Sequence, residues 1–157
     1  MANLPALIAT FFGAGKSPKA PGTIGTLAAL PFGWVLGELG GVPLLAVATL
    51  FAFGIGWWAS EKYVQDTGKE DPSEVVIDEV AGIWLTLCFM PQEWLFYALA
   101  FAAFRFFDIL KPWPVSWADR RIKGGLGIML DDILAGLYAA PIPYFTVFGY
   151  LWLTSSH

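Results

Sequence analysis

The chain has 157 residues, a length that suits one domain, and we expect a single domain over residues 1–157. Hydrophobic residues make up 57% of it and charged residues 14%, against about 25% charged residues in an average soluble domain. The formal net charge of −4 argues against nucleic-acid binding, and the single cysteine, Cys88, excludes an intramolecular disulfide.

Two interruptions divide most of the apolar sequence into four helical arms. Glycine and proline end helices readily, so Gly40-Gly41 and Pro91 to Glu93 each predict the tip of a helical hairpin. Each arm of the second hairpin has about 11 residues, or about 16 Å of helix, which is too short to cross a bilayer. The alternative is one kinked span that would leave Glu93 in lipid at a considerable energetic cost. The arms are predicted at residues 24–39, 42–59, 80–90 and 94–104.

A last uncharged run, residues 133–153, is long enough to cross a membrane once and would leave His157 on the far side. The polar residues form three islands, 13–26, 61–79 and 105–132, which the two hairpins would bring to one face. Lysine and arginine lie in the islands and are absent from the hairpin tips, so the positive-inside rule predicts that this face is cytoplasmic. The sequence therefore predicts an all-α, multi-pass membrane protein, with a fully buried soluble helical bundle as the alternative.

Acidic residues stand where the polar islands meet apolar segments. Each has an ordinary structural explanation, because carboxylates are favoured near helix N-termini and because Asp108 can pair with Arg105 and Lys111 at helical spacing. Together, however, five carboxylates on one predicted face have few compensating cations, which predicts one or two hard divalent ions there. Oxygen ligands alone favour magnesium, Mg2+, over zinc. The five candidate metal ligands are Asp78, Glu79, Asp108, Asp131 and Asp132.

Candidate phosphate-binding groups accompany these carboxylates. Arg105 and Lys111 share the predicted helix face of Asp108 and can hold phosphate oxygens. Thr23 and Thr26 open the first long helix, where hydroxyls and free backbone N–H groups suit an anion. An ordinary proline and glycine turn with an N-cap explains the same residues. The segment is not a P-loop, because no Gly-Lys-Ser/Thr follows its glycines at the required spacing.

Several motifs that are typical of phosphatase mechanisms are missing from the sequence. Cys88 has no arginine six residues later, no Asp-x-Asp sequence occurs, and the only histidine is the last residue. No cysteinyl-phosphate, aspartyl-phosphate or histidine-dependent route is therefore supported. Direct attack of metal-activated water on phosphorus remains.

Taken in order, the motifs resemble the phosphatidylglycerophosphatase A family from about Phe12 to Gly136. The resemblance implies magnesium-dependent removal of the terminal phosphate of phosphatidylglycerophosphate, giving phosphatidylglycerol in the bacterial inner membrane. It also implies that the five carboxylates form the catalytic metal site, without distinguishing the base from the ligands. The matching stretches include Pro21-Gly22-Thr23-Ile24-Gly25-Thr26, Val76-Ile77-Asp78-Glu79-Val80-Ala81-Gly82, Phe104-Arg105-Phe106-Phe107-Asp108, Lys111-Pro112-Trp113-Pro114 and Gly124-Gly125-Leu126-Gly127-Ile128-Met129-Leu130-Asp131-Asp132.

Two other functions are compatible with these residues. A broader lipid phosphatase acting on phosphatidic or lysophosphatidic acid would use the same carboxylates. A magnesium transport protein would instead distribute its carboxylates across the depth of the membrane. An oligomer is possible, since the small residues Gly54 and Gly56 would permit close helix packing.

Overall fold

Helices form all the regular structure in residues 3–155, the part of the chain that the computed structural model describes. The expected position of His157 lies outside this range. A short 3-10 helix, Ala14–Lys16, joins the first two α-helices. The α-helices are α1 Leu4–Ala9, α2 Pro21–Thr67, α3 Ile77–Leu87, α4 Trp94–Leu110, α5 Val115–Arg121, α6 Gly124–Ala139 and α7 Ile142–Ser155.

Helix α2 is broken at Gly41, whose backbone angles of φ 62° and ψ −159° are not helical. Glycine populates positive φ without the steric cost that a Cβ would add. Pro43 follows in the first turn after the break, where a missing N–H costs nothing. The break therefore separates α2 into two arms, residues 21–40 and 42–67.

The two arms contact α3 in opposite order. In the first arm, a Cβ at Gly25 would lie 2.6 Å from Val76, just before α3, and one at Gly33 would lie 2.8 Å from Leu87, at its end. The first arm therefore runs parallel to α3.

In the second arm the sequence of contacts is reversed. Thr49 Oγ1 lies 4.0 Å from Cys88 Sγ beyond the end of α3, whereas a Cβ at Gly56 would lie 3.1 Å from Ile77 at its start. The chain thus turns back at Gly41, and the predicted first hairpin is confirmed.

Helices α3 and α4 form the second predicted hairpin. Near the start of α3, Glu79 Oε1 lies 3.7 Å from Arg105 Nη1 near the end of α4. At the opposite end, the Gln92 side-chain amide donates 3.0 Å to the Glu38 carboxylate and 2.9 Å to the Trp34 carbonyl. The tips of the two hairpins therefore lie side by side, and the alternative of a single kinked span is wrong.

Helix α4 is longer than the arm predicted at residues 94–104, since it continues to Leu110. The extension contains Arg105 and Asp108, three residues apart, whose side chains pair with each other inside the bundle. At 17 residues, the helix is about 25 Å long, because it joins the predicted apolar arm to the predicted helix face of Arg105 and Asp108.

Helix α6 packs against α3 through glycine. A Cβ at Gly136 would lie 2.6 Å from the carbonyl oxygen of Gly82, and Thr86 Oγ1 donates 3.1 Å to the Gly136 carbonyl. The first residues of α6 are held by the second arm of α2, because the Gly125 N–H donates 2.7 Å to the Glu61 carboxylate. The run predicted at 133–153 is divided between α6 and α7.

Two segments, Pro21–Thr67 and Gly124–Ser155, are long and apolar enough to cross a membrane. Only 22% of the most apolar window of the first is buried within the protein. Large apolar side chains such as Leu39, Leu50 and Phe145 are more than two-thirds exposed. Such a surface suggests association with a membrane and does not fit the fully buried soluble bundle.

Candidate metal centre

A cavity of about 460 Å³ opens at the end of the bundle opposite the hairpin tips. The start of α2, the loop before α3 and the first turn of α3, the end of α4 and the first half of α6 surround it. All five acidic residues singled out in the sequence line this cavity. Their side chains meet although they come from three helices that are far apart in the chain.

The carboxylates form two groups that have one member in common. Oxygens of Asp78, Asp131 and Asp132 lie within 4.8 Å of one another, and so do oxygens of Glu79, Asp108 and Asp132. Asp132 therefore lies between the two groups. Each group offers three carboxylate oxygens, the donor type that magnesium prefers.

Adjacent acidic residues reach the cavity from different sides of the same helix. Residues Asp78 and Glu79 point about 100° apart on α3, so that Asp78 meets α6 and Glu79 meets α4. Both side chains line the cavity, which lies where α3 meets α4 and α6. From sequence alone, one of such a pair could equally have faced a neighbouring helix or the surface.

The position of Asp131 and Asp132 removes one simple explanation for their presence. Both lie about two turns inside α6, which begins at Gly124 and has no acidic residue in its first turn. The helix dipole acts mainly within the first turn. A favourable position at a helix N-terminus therefore accounts for Asp78 and Glu79 in α3 but not for this pair.

Several oxygens in the cluster lack any hydrogen-bond partner among the described residues. These atoms are Asp78 Oδ1, Glu79 Oε2 and Asp132 Oδ2. The three residues are 8%, 8% and 2% exposed, respectively. Burying a carboxylate without a partner costs several kcal/mol unless a cation compensates. The donor set therefore fits a hard divalent cation.

Two basic side chains pair with opposite sides of the cluster. Arg105 donates to Asp108 and lies 3.7 Å from Glu79, while its buried Nε has no hydrogen-bond partner in residues 3–155. Lys111 Nζ donates 2.8 Å to Asp131 and 2.6 Å to Asp119. Both basic residues also line the cavity, where a phosphate could reach them.

Lys111 is firmly charged in this setting. Burial lowers the pKa of its ammonium group, but the hydrogen bonds to Asp119 and Asp131 outweigh burial and hold the pKa above its usual value. Sequence reasoning missed Asp119, which lies in α5 directly before Arg120 and Arg121. An acidic residue in a basic segment gives no sequence signal that it will turn toward Lys111.

The start of α2 contributes Gly22 rather than threonine side chains. Gly22 lines the cavity, and a Cβ there would lie 2.5 Å from Glu79 Oε1 and 3.0 Å from Arg105 Nη1. The Thr26 hydroxyl instead donates 2.8 Å to the Gly22 carbonyl. Neither Thr23 nor Thr26 is among the residues that line the cavity.

The chain is similar to a known sequence family and to named bacterial proteins. Residues 7–147 match the sequence family described as phosphatidylglycerophosphatase A. The phosphatidylglycerophosphatase A of Escherichia coli K12 is 41% identical, covering 97% of this chain and 87% of the relative. The phosphatidylglycerophosphatase A of Haemophilus influenzae is 40% identical, covering 88% of this chain and 85% of the relative. A Bacteroides thetaiotaomicron protein provisionally named a phosphatidylinositol-3-phosphatase is 44% identical, covering 87% and 89%. No solved structure matches significantly.

Proposed function

The chain belongs to the phosphatidylglycerophosphatase A family and is a phosphatase, and from that premise we propose that it removes the terminal phosphate of phosphatidylglycerophosphate in a magnesium-dependent reaction. The products would be phosphatidylglycerol and inorganic phosphate. The buried carboxylate cluster with its unpartnered oxygens supports this function most directly. The two relatives whose names give the same activity support the choice of substrate.

The carboxylates, Arg105 and Lys111 each have a part in this reaction. Carboxylates of the cluster would hold magnesium, and a carboxylate oxygen that does not contact an ion would accept the proton that the attacking water loses. Arg105 and Lys111 hold oxygens of the substrate phosphate, exchanging their present carboxylate partners for it. When bound, magnesium would supply positive charge that activates water and stabilises the charge developing on the phosphate oxygens.

We place the protein in the bacterial inner membrane as a multi-pass protein with the cavity facing the cytoplasm. Both hairpin tips lack lysine and arginine, whereas the cavity end carries Lys111, Lys123 and the Arg120-Arg121 pair. The positive-inside rule then orients the cavity toward the cytoplasm.

Exposed apolar side chains beside the cavity would accommodate the lipid part of the substrate. Ile109 lines the cavity and is 70% exposed, and Leu110 and Trp113 next to it are 62% and 74% exposed. Such a surface at a charged cavity suits a substrate with acyl chains and a phosphorylated head group. We infer that the acyl chains lie against this rim of residues 109–113 while the terminal phosphate reaches the carboxylates.

A broader lipid phosphatase is the second candidate, and one relative favours it. The Bacteroides thetaiotaomicron protein is named for a phosphate on a different phospholipid head group, although it is 44% identical. A magnesium transport protein is not favoured, because the carboxylates gather at one end of the bundle and do not extend through it.

Phosphate release from defined lipids tests the proposal. Purified protein in mixed micelles should release phosphate from phosphatidylglycerophosphate in magnesium, stop in chelator, and resume when magnesium is restored. Its kcat/KM should be at least about tenfold higher for this lipid than for phosphatidic acid or phosphatidylinositol 3-phosphate, a difference of about 1.4 kcal/mol. Equal values would support the broader phosphatase, and full activity after exhaustive chelation would reject the metal.

A further inference from the structure

We propose that the cavity holds two divalent cations side by side, one among Asp78, Asp131 and Asp132 and the other among Glu79, Asp108 and Asp132. The inference rests on the proposed function for the class of ion. It adds the number of ions and makes Asp132 the ligand that both share.

The grouping of oxygens supports two positions over one. Each group of three oxygens fits within 4.8 Å, close to the roughly 3–4 Å that separates ligands about 2.1 Å from a magnesium ion. The two groups overlap only at Asp132. A single magnesium is usually held by one or two carboxylates, so five converging carboxylates exceed what one ion uses.

The unpartnered oxygens are distributed over both groups. Asp78 Oδ1 belongs to a residue of the first group, Glu79 Oε2 to one of the second, and Asp132 Oδ2 to the shared residue. A cation in one group alone would leave a buried, unpartnered carboxylate oxygen in the other, which is costly.

The net charge of the cluster also supports two cations. The five carboxylates and Asp119, which also pairs with Lys111, face two basic side chains, so these groups lack four positive charges. One divalent cation would leave the cavity negative, and a phosphate monoester dianion would be repelled. Two divalent cations offset the four missing charges and so remove the repulsion of that substrate.

The basic residues are divided in the same way. Lys111 pairs with Asp131 of the first group, and Arg105 pairs with Asp108 of the second. Each cation position therefore has one basic side chain at its edge that can turn toward a phosphate. Two divalent cations about 3.5–4 Å apart are a known arrangement for phosphoryl chemistry.

Manganese binding tests the proposal without measuring turnover. Purified full-length protein titrated with Mn2+ should bind two ions per chain, and its electron paramagnetic resonance spectrum should show magnetic coupling between them. Asp78→Asn and Asp108→Asn should each bind one ion with no coupling. Asp132→Asn should lose the coupling and weaken both positions, while the exposed control Asp66→Asn should bind two coupled ions.

The number of bound ions distinguishes the two-cation centre from the proposal of magnesium-dependent hydrolysis. One ion per wild-type chain at saturation, or two ions without coupling, would overturn the two-cation centre and leave magnesium-dependent hydrolysis standing. No bound ion would overturn both. The wild-type count does not depend on any variant, and circular dichroism identifies a variant that fails to fold.

Discussion

The ammonium group of Lys111 donates a 2.6 Å hydrogen bond to the carboxylate of Asp119. Asp119 is outside both carboxylate groups of the cavity, so we expect it to position Lys111 rather than to hold a cation. Asp119→Asn should lower kcat/KM about tenfold, or about 1.4 kcal/mol, mainly by raising KM.

A double-variant cycle checks this assignment. If Asp119 acts only through Lys111, the double variant Asp119→Asn with Lys111→Ala should be no slower than Lys111→Ala alone. Independent, additive losses would mean that Asp119 has a separate role.

Removing the charge of Asp132 should separate catalysis from stability. Asp132→Asn keeps the side-chain size, and it breaks no salt bridge among the described residues. Turnover should fall at least ~100-fold, or roughly 2.7 kcal/mol. In chelator the thermal unfolding temperature should stay the same or rise, because carboxylate repulsion is relieved.

The exposed tip residue Glu93 provides the control for charge removal. Glu93→Gln should leave both turnover and unfolding temperature nearly unchanged, as Glu93 is exposed at the far end of the bundle. An Asp132→Asn variant that turns over normally but unfolds more easily would show that this carboxylate is structural.

A side chain at Gly22 should disturb the site without unfolding the protein. Its Cβ would lie 2.5 Å from Glu79 Oε1 and 3.0 Å from Arg105 Nη1, so both groups must move. We expect Gly22→Ala to lower kcat at least about tenfold. Gly54→Ala is the matched control, since nothing lies within 4 Å of that position, and equal activities of the two variants would contradict a role for this close contact.

Cysteine labelling should place the two ends of the bundle on opposite sides of the membrane. In a Cys88→Ser background, cysteines replacing Lys69 and Lys123 should react with an impermeant reagent only after the cytoplasmic side is opened. A cysteine replacing Leu39, beside the first tip, should react in intact cells. Labelling of positions 69 and 123 from different sides would reject the shared face.

The apolar rim should affect long-chain substrate more than short-chain substrate. Trp113→Ala should raise KM for long-chain phosphatidylglycerophosphate several-fold, because each methylene that leaves an apolar contact costs about 0.8 kcal/mol at most. A water-soluble short-chain analogue should be hydrolysed as before. Leu50→Ala, on an exposed surface that does not line the cavity, is the control, and equal effects on both substrates would show that the rim does not hold acyl chains.

The hairpins and the five carboxylates could be predicted because their signals are local. Gly40-Gly41 and Pro91 interrupt apolar sequence directly, and acidic residues at the ends of apolar segments stand out in a chain with few charges. The predicted polar islands also gather at one end of the bundle, as the convergence of α3, α4 and α6 on the cavity shows.

Other features depend on pairing across the fold and could not be predicted. Asp119 pairs with Lys111 although it lies in a basic segment, directly before Arg120 and Arg121. The threonines of the first island looked suitable for phosphate, yet Thr26 donates to its own helix. Such choices between local and distant partners are decided by the assembled helices.

The hydrogen bond from the Gly125 N–H to Glu61 fixes where α6 begins its winding. Asp131 and Asp132 follow six and seven residues later, and each residue of an α-helix adds a rotation of about 100°. One residue inserted between Gly125 and Asp131 would therefore swing both carboxylates away from Asp78 and Glu79. The length of this short stretch is consequently as strict a requirement as the acidic residues themselves, and a one-residue deletion there should abolish cation binding even though every ligand is still encoded.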